Sequence, residues 1–165
     1  MPRQLLVIAL LALAAATATA QELARVVIGG GVTGFDRHND KVRTTTEFLS
    51  LEYRGTKDLF RGVHPLAGVF ATSNGAAYVH AGFYRDFALN SRWILTPNFS
   101  VGAFARRDGM DLGNVLEFQS GLDLFRRLDN GWYAGATLRH VSNAGLADDN
   151  PGVENLGFIL AVPLR

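Results

Sequence analysis

The sequence predicts an all-β protein, an eight-stranded antiparallel transmembrane β-barrel of the outer-membrane type, from three observations. Apolar and polar residues alternate with a period of two after residue 24, which is typical of strands with one apolar face. The alternating runs number eight, and bacterial outer-membrane barrels have even strand counts that start at eight. The chain also begins with the pattern of an export signal.

Residues 1–20 have the pattern of a secretory signal peptide. Arg3 supplies the positive charge, residues 5–16 form the apolar stretch, and Ala18-Thr19-Ala20 forms a small-residue cleavage site. The apolar stretch is too short to cross a bilayer as a helix. We therefore expect cleavage after Ala20, a single barrel domain over residues 21–165, and location in the cell outer membrane.

The alternating runs supply the strands in chain order. The clearest run places Leu116, Phe118, Leu122 and Leu124 on one face, where Ser120 is the only polar member. Runs of this length suit tilted strands that cross an outer membrane. A soluble eight-stranded barrel would also alternate, but export, the lack of cysteine and the bulk of the polar set favour a membrane barrel. The runs are 25–34, 45–55, 62–72, 76–87, 92–105, 114–126, 131–142 and 153–164.

The connections between the runs differ in length. Those around 35–44, 73–75, 106–113 and 143–152 are on average longer than the other three. Outer-membrane barrels have long extracellular loops and short periplasmic turns. The four connections are therefore predicted to be extracellular, although the one around 73–75 is short.

The polar faces of the runs form the predicted barrel interior. Eight strands enclose a space just wide enough for side chains to fill, so charges buried there must pair. We therefore predict a structural network and not a pore. The set comprises Glu52, Arg54, Tyr84, Asn98, Glu117, Gln119, Asp123, Tyr133 and Arg139.

Two further features have structural interpretations. Gly29 to Gly34 match G-x-G-x-x-G, but a dinucleotide site needs a helix next, and turn-like residues follow instead. We predict glycines that ease strand curvature. His80 lies among alternating aromatic residues and is predicted to be an interior side chain with satisfied hydrogen bonds.

Composition excludes other classes of function. The chain has no cysteine, so disulfide frameworks and thiolate metal sites are excluded. The formal net charge is +1, and about 0 without Arg3, so no basic field indicates a nucleic-acid partner. No metal or cofactor is expected. Whether the protein forms a homodimer stays open.

His140, Ser142 and Glu154 are the candidate catalytic residues. A histidine, a serine and a carboxylate are the side chains that make a hydroxyl nucleophilic near neutral pH. Alternation places His140 and Ser142 on the apolar face of the seventh run and Glu154 on the apolar face of the eighth. Charged groups on a lipid-facing wall are costly for a structural protein, and suit an enzyme that attacks a lipid.

The segment that contains these residues also resembles a known family. His140-Val141-Ser142-Asn143-Ala144-Gly145, followed by Asn150-x-Gly152-x-Glu154, is similar to the signature of the lipid A 3-O-deacylases (the PagL family). The resemblance implies an outer-membrane barrel that hydrolyses the 3-O-linked acyl ester of lipid A, the anchor of lipopolysaccharide.

The triad pattern makes Ser142 the nucleophile, His140 the general base and Glu154 the residue that orients His140. The resemblance implies an oxyanion hole made of the Asn150 side chain and the Gly145 N–H. Asn143 is a motif residue whose role the sequence does not indicate. Two other functions stay open: an outer-membrane phospholipase with the same triad, and a non-catalytic barrel that serves as an adhesin or scaffold.

Overall fold

A computed structural model of the chain describes residues 23–35 and 45–164. The predicted signal peptide lies outside the described residues. No helix in these two ranges is long and apolar enough to cross a membrane. The strands are β1 (Arg25–Thr33), β2 (Thr46–Arg54), β3 (His64–Thr72), β4 (Ala77–Tyr84), β5 (Phe87–Ala88), β6 (Trp93–Ala105), β7 (Leu116–Arg127), β8 (Tyr133–Ser142) and β9 (Val153–Pro163).

The strands close into one antiparallel barrel. Consecutive strands pair from β1 through β4, and again from β6 through β9. β1 pairs with β9, and both β4 and β5 pair with β6, so β4 and β5 occupy one of eight strand positions. The predicted fold class and all eight runs are confirmed.

The predicted run over 76–87 is divided into β4 and β5. The division lies opposite Pro97 of β6, which has no N–H and therefore cannot donate to a ladder. The Arg85 N–H still donates to the Pro97 carbonyl at 3.1 Å, whereas the Asp86 carboxylate binds Arg25 at 2.7 Å. The run is thus one strand position with a local interruption.

The outer wall of the barrel is apolar. Leu49 is 72% exposed and Phe158 is 81% exposed. A continuous apolar belt of this kind is unfavourable in water and is suited to lipid. Other large apolar side chains exposed on the wall are Ile28, Leu51, Val69, Val79, Phe83, Phe99, Val101, Leu122 and Leu138.

The interior contains the predicted charge network. The buried Arg54 guanidinium donates to Glu52 at 2.9 Å and also to Asp123. Arg139 donates to Glu52, so two cations and two carboxylates neutralise each other. Buried ions need such pairing to offset their desolvation. One apolar cluster lies towards each end of the barrel, around Leu112 and Phe125 respectively.

Part of the predicted interior lacks hydrogen-bond partners. His80 is buried and stacks on the Tyr78 ring at 5.0 Å between centroids. Neither ring nitrogen of His80 has a hydrogen-bond partner among the described residues, and the same holds for both Glu117 carboxylate oxygens. The predicted interior location of His80 is confirmed, and its ring is held there by stacking on Tyr78.

The glycine run lies in β1, as predicted, and one of its members allows the barrel to close. A Cβ at Gly31 would lie 2.2 Å from the Leu156 carbonyl oxygen and 2.4 Å from the Gly157 Cα. Only glycine permits β1 and β9 to approach so closely at this point.

Candidate active site

The three candidate catalytic residues lie at one end of the β8–β9 pair. His140 and Ser142 are in the last three residues of β8, and Glu154 is the second residue of β9. His140 and Glu154 are direct partners in the strand register. Directly opposed residues have adjacent Cβ atoms, so the pairing brings imidazole and carboxylate together.

All three side chains project from the outer wall. Leu138 lies on the same strand face as His140 and Ser142, and Leu156 on the same face as Glu154. These two leucines are 49% and 47% exposed. Thr137 and Asn155, on the opposite faces, are 2% and 1% exposed. The structure therefore confirms the direction predicted from alternation.

The imidazole and carboxylate form a close pair. His140 Nδ1 lies 2.7 Å from Glu154 Oε1, and the two side chains are 45% and 31% exposed. With Nδ1 donating to the carboxylate, Nε2 is the nitrogen left to accept a proton. This is the arrangement of a base and its orienting acid in a catalytic triad.

Ser142 lies beside the other edge of the imidazole. A Cβ atom added to Gly152 would lie 3.5 Å from His140 Nε2 and 3.7 Å from Ser142 Cβ, so the two side chains border the same space. Ser142 Oγ makes no hydrogen bond with a described residue. Bonds between nucleophile and base are often long in unliganded enzymes and tighten around the substrate.

Gly152 is a functional position whose role the sequence did not indicate. Its φ is +63°, and a Cβ there would lie 2.8 Å from His140 Cε1. The backbone at Gly152 therefore packs directly on the imidazole, which leaves room for no other residue. The only signal was its place in the motif Asn150-x-Gly152-x-Glu154.

The structure also defines what Asn143 does. Its side chain is fully buried, and its Nδ2 donates to the Leu112 and Asp149 carbonyls at 2.9 and 2.7 Å. Its Oδ1 accepts from the Gly145 N–H at 2.9 Å, and its own N–H donates to Asn150 Oδ1 at 3.0 Å. One side chain thus joins loop 106–115 to loop 143–152, beside Ser142.

The hydrogen bonds of Asn143 determine which of the two expected oxyanion-hole donors is free to donate. Because Asn150 Oδ1 accepts from the Asn143 N–H, the Asn150 Nδ2 group remains to donate elsewhere. The Gly145 N–H, in contrast, already donates to Asn143 Oδ1. The predicted donor role of Gly145 therefore requires that this bond opens first.

Aromatic rings flank Ser142 on the outer wall. Phe118 of β7 is the register partner of Ser142, and its ring lies 6.1 Å from that of Phe99. Ser120 is the partner of His140. A small side chain therefore lies beside the base, and an apolar surface extends from the serine.

Comparisons with known proteins identify the family and support the fold. The family model "Lipid A 3-O-deacylase (PagL)" matches residues 37–163. A solved structure, described as "the outer membrane enzyme PagL", superposes with a TM-score of 0.64 at 24% identity, over 85% of this chain and 99% of that chain. No curated protein matches. Since the family model spans most of the chain, the protein belongs to the lipid A 3-O-deacylase (PagL) family.

Proposed function

We propose that the protein is a serine esterase of the outer membrane that hydrolyses the 3-O-linked acyl ester of lipid A. The observation that carries the proposal is the His140–Glu154 pair at 2.7 Å beside Ser142, on an apolar outer wall. Family membership supplies the substrate class. A site on the outer wall is open to a lipid that lies in the membrane beside the barrel.

The exposure of the site suits a membrane substrate. An eight-stranded interior filled by the Glu52–Arg54–Asp123 network has no room for a lipid. On the outer wall, an acyl chain can lie along Phe118 and Leu138 while its ester approaches Ser142. The ester then lies at the end of the apolar wall, next to loop 143–152.

The reaction follows the triad scheme. His140 Nε2 takes the proton from Ser142 Oγ as the oxygen attacks the ester carbonyl carbon. Glu154 accepts a hydrogen bond from Nδ1 and stabilises the imidazolium. When the intermediate collapses, the C–O bond to the sugar breaks and His140 protonates the departing sugar oxygen. Water then attacks the acyl-serine with the same base, which releases the fatty acid.

Asn150 is the proposed donor to the tetrahedral oxyanion. A preorganised donor of this kind is typically worth about 3–4 kcal/mol of transition-state stabilisation. The Asn143 N–H fixes the Asn150 amide by binding its Oδ1. The Asn143 side chain is a positioning group of its own, because its Nδ2 holds the carbonyl of Asp149, the residue before Asn150, and its Oδ1 accepts from the Gly145 N–H in the turn after the nucleophile.

Mass spectrometry of lipid A tests the proposal. Cells that express the protein should contain lipid A that lacks one 3-O-linked acyl chain, and cells that express Ser142→Ala should not. Ser91→Ala, in an exposed turn at the other end of the barrel, is the matched control and should behave as the wild type. Full activity of a folded Ser142→Ala variant would refute the triad.

Assays of the purified protein on two lipids distinguish a lipid A deacylase from a phospholipase. Incubation with lipid A should release the 3-O-linked acyl chain as a fatty acid, whereas incubation with phosphatidylethanolamine should release no fatty acid. The reverse result would make the protein a phospholipase with the same site. Release from neither substrate, by a barrel shown to be folded, would favour the non-catalytic scaffold.

A further inference from the structure

Both tryptophans of the chain lie together at the end of the barrel opposite the active site. Trp93 opens β6, and its register partner on β7 is Arg126. Trp132 precedes β8, and its carbonyl accepts from the Leu128 N–H at 2.8 Å, which closes the β7–β8 turn. We call Trp93, Trp132, Arg92, Arg126 and Arg127 the basic–aromatic patch.

The arginines of this patch are solvent-exposed cations. All three are exposed, and none forms an ion pair with a described residue. Arg92 and Arg127 are adjacent, because the Arg127 N–H donates to the Arg92 carbonyl at 2.7 Å. Both lie at the rim of the barrel mouth, since the register partner of Arg127 is Tyr133 of the interior cluster, whereas Arg126 shares the outer wall with Trp93. Like charges placed side by side repel, so the arrangement favours a bound anion.

Other arginines of the barrel differ in this respect. Arg25 binds Asp86 at 2.7 Å, and Arg106 binds Asp111. The patch arginines have no such acid, although Asp129 is in the adjoining turn. Lys57, Arg61 and Arg85 at the same end also form no ion pair with a described residue. The patch differs from them in the two exposed tryptophans beside it.

The position of the patch indicates where the anion comes from. β1 begins and β9 ends at this end of the barrel, and its turns are shorter on average than the loops at the other end, as periplasmic turns are. The two indole rings are 38% and 39% exposed on the outer wall. Tryptophan and arginine side chains at such a depth lie at the level of lipid headgroups.

We propose that the basic–aromatic patch binds an anionic phospholipid of the periplasmic leaflet. Arg126 on the outer wall binds the headgroup phosphate, since guanidinium groups are suited to phosphate oxygens, and Arg92 and Arg127 at the adjoining rim add positive charge beside it. The indole rings pack on the glycerol and upper acyl region. The proposal depends on the outer-membrane location and not on the esterase activity, and the site is distinct from the substrate site at the other end.

Tryptophan fluorescence provides the test, because the chain has only these two tryptophans. The full barrel is inserted into phosphatidylcholine vesicles that contain a small fixed fraction of acyl-brominated phosphatidylglycerol or, separately, acyl-brominated phosphatidylcholine. Bromine quenches tryptophan at contact. Brominated phosphatidylglycerol should associate with the patch at least about fivefold more strongly, the factor that one arginine near an anionic lipid surface contributes.

Two triple variants with the same loss of charge complete the experiment. Arg92→Gln/Arg126→Gln/Arg127→Gln should abolish the preference for the anionic lipid. Lys57→Gln/Arg61→Gln/Arg85→Gln, at the same end on other turns, should retain it. Equal quenching by both lipids in the wild type, or equal loss in both variants, would overturn the proposal. Lipid A deacylation by the first variant is measured in parallel and should be unchanged, which separates this proposal from the esterase assignment.

Discussion

The two ring nitrogens of His140 face different neighbours, and this arrangement allows the imidazole to act as a base. Nδ1 is bound to Glu154 at 2.7 Å, whereas Nε2 is on the side of Ser142 and Gly152. Both side chains of the pair are partly exposed, so water competes for the carboxylate. When the Glu154 carboxylate is lost, water can therefore still orient the imidazole in part. When His140 is lost, no other group replaces the proton-accepting nitrogen.

Glu154→Ala is expected to lower kcat on lipid A by on the order of 10²–10⁴ and leave measurable turnover, while His140→Ala leaves none. Assays of fatty acid release from purified barrels measure the difference. Asp148→Ala removes an exposed carboxylate from the same loop and should retain activity. If Glu154→Ala matched the wild type and Asp148→Ala did not, the orienting acid would have been misassigned.

Asn143→Ala tests the positioning role of the buried amide. The change leaves the Leu112 and Asp149 carbonyls without their donor, which costs about 1–3 kcal/mol of unfolding free energy for each unsatisfied group. The Asn143 N–H that binds Asn150 Oδ1 is retained, but release of the Asp149 carbonyl loosens the residue next to Asn150. We therefore expect a lower kcat with little change in KM, at temperatures where the variant remains folded. Asn114→Ala, which removes a loop asparagine that binds the Leu116 N–H, is the control and should keep the wild-type kcat.

At the scale of elements, the β8–β9 hairpin builds the site. The strand register places His140 directly opposite Glu154. The loop between the two strands places Gly152 in contact with the imidazole. Ala144 and Gly145 both have positive φ, +56° and +79°, as the central residues of a type I′ turn do. The Leu146 N–H donates to the Asn143 carbonyl at 3.1 Å and closes this turn.

Gly152→Ala should damage catalysis more than stability. The added Cβ would contact His140 Cε1 at 2.8 Å and displace the imidazole, and misplacement by about 1 Å can cost 10²-fold in rate. Gly131→Ala, in the β7–β8 turn at the other end of the barrel, is the matched control, since its φ of +86° is also positive but nothing lies within 4 Å of the added Cβ. Both variants bear a similar backbone strain of about 1–2 kcal/mol. Equal kcat values for the two would contradict a role for Gly152 in holding the base.

At the scale of the whole molecule, the barrel separates a charged interior from an apolar wall. The Glu52, Arg54, Asp123 and Arg139 network fills the middle of the interior, so chemistry on a lipid takes place outside. The wall exposes apolar side chains between the active site at one end and the two tryptophans at the other. The molecule therefore has two membrane-facing ends of different chemistry.

Cysteine labelling measures this direction without background, because the chain has no cysteine. Single cysteines at Leu138 and Leu156, about half exposed on the wall, should react with a membrane-soluble thiol reagent in intact outer membranes. Cysteines at Thr137 and Asn155, which are buried in the interior, should be protected from it. The opposite labelling pattern would place the triad in the interior and remove the enzyme hypothesis.

Alternation determined the fold class, the eight strand positions and the wall on which His140, Ser142 and Glu154 lie. Alternation is sufficient for this because successive side chains of a strand point to opposite faces of the sheet. The local sequence therefore specifies the face on which each side chain lies. The interruption between β4 and β5 was not foreseen, since it depends on Pro97 in a neighbouring strand. His80 was assigned to the correct face, but its stacking on Tyr78 was not foreseen.

The sequence by itself determined the strand rhythm, the apolar wall and the residue types of the site. Only the tertiary structure decided that Glu154 opposes His140, that Gly152 packs on the imidazole and that Asn143 joins two loops. These contacts depend on register and on loop conformation, which bring together residues from separate segments. Trp93 opposes Arg126 across β6 and β7 for the same reason, since no local pattern specifies the register in which neighbouring strands pair.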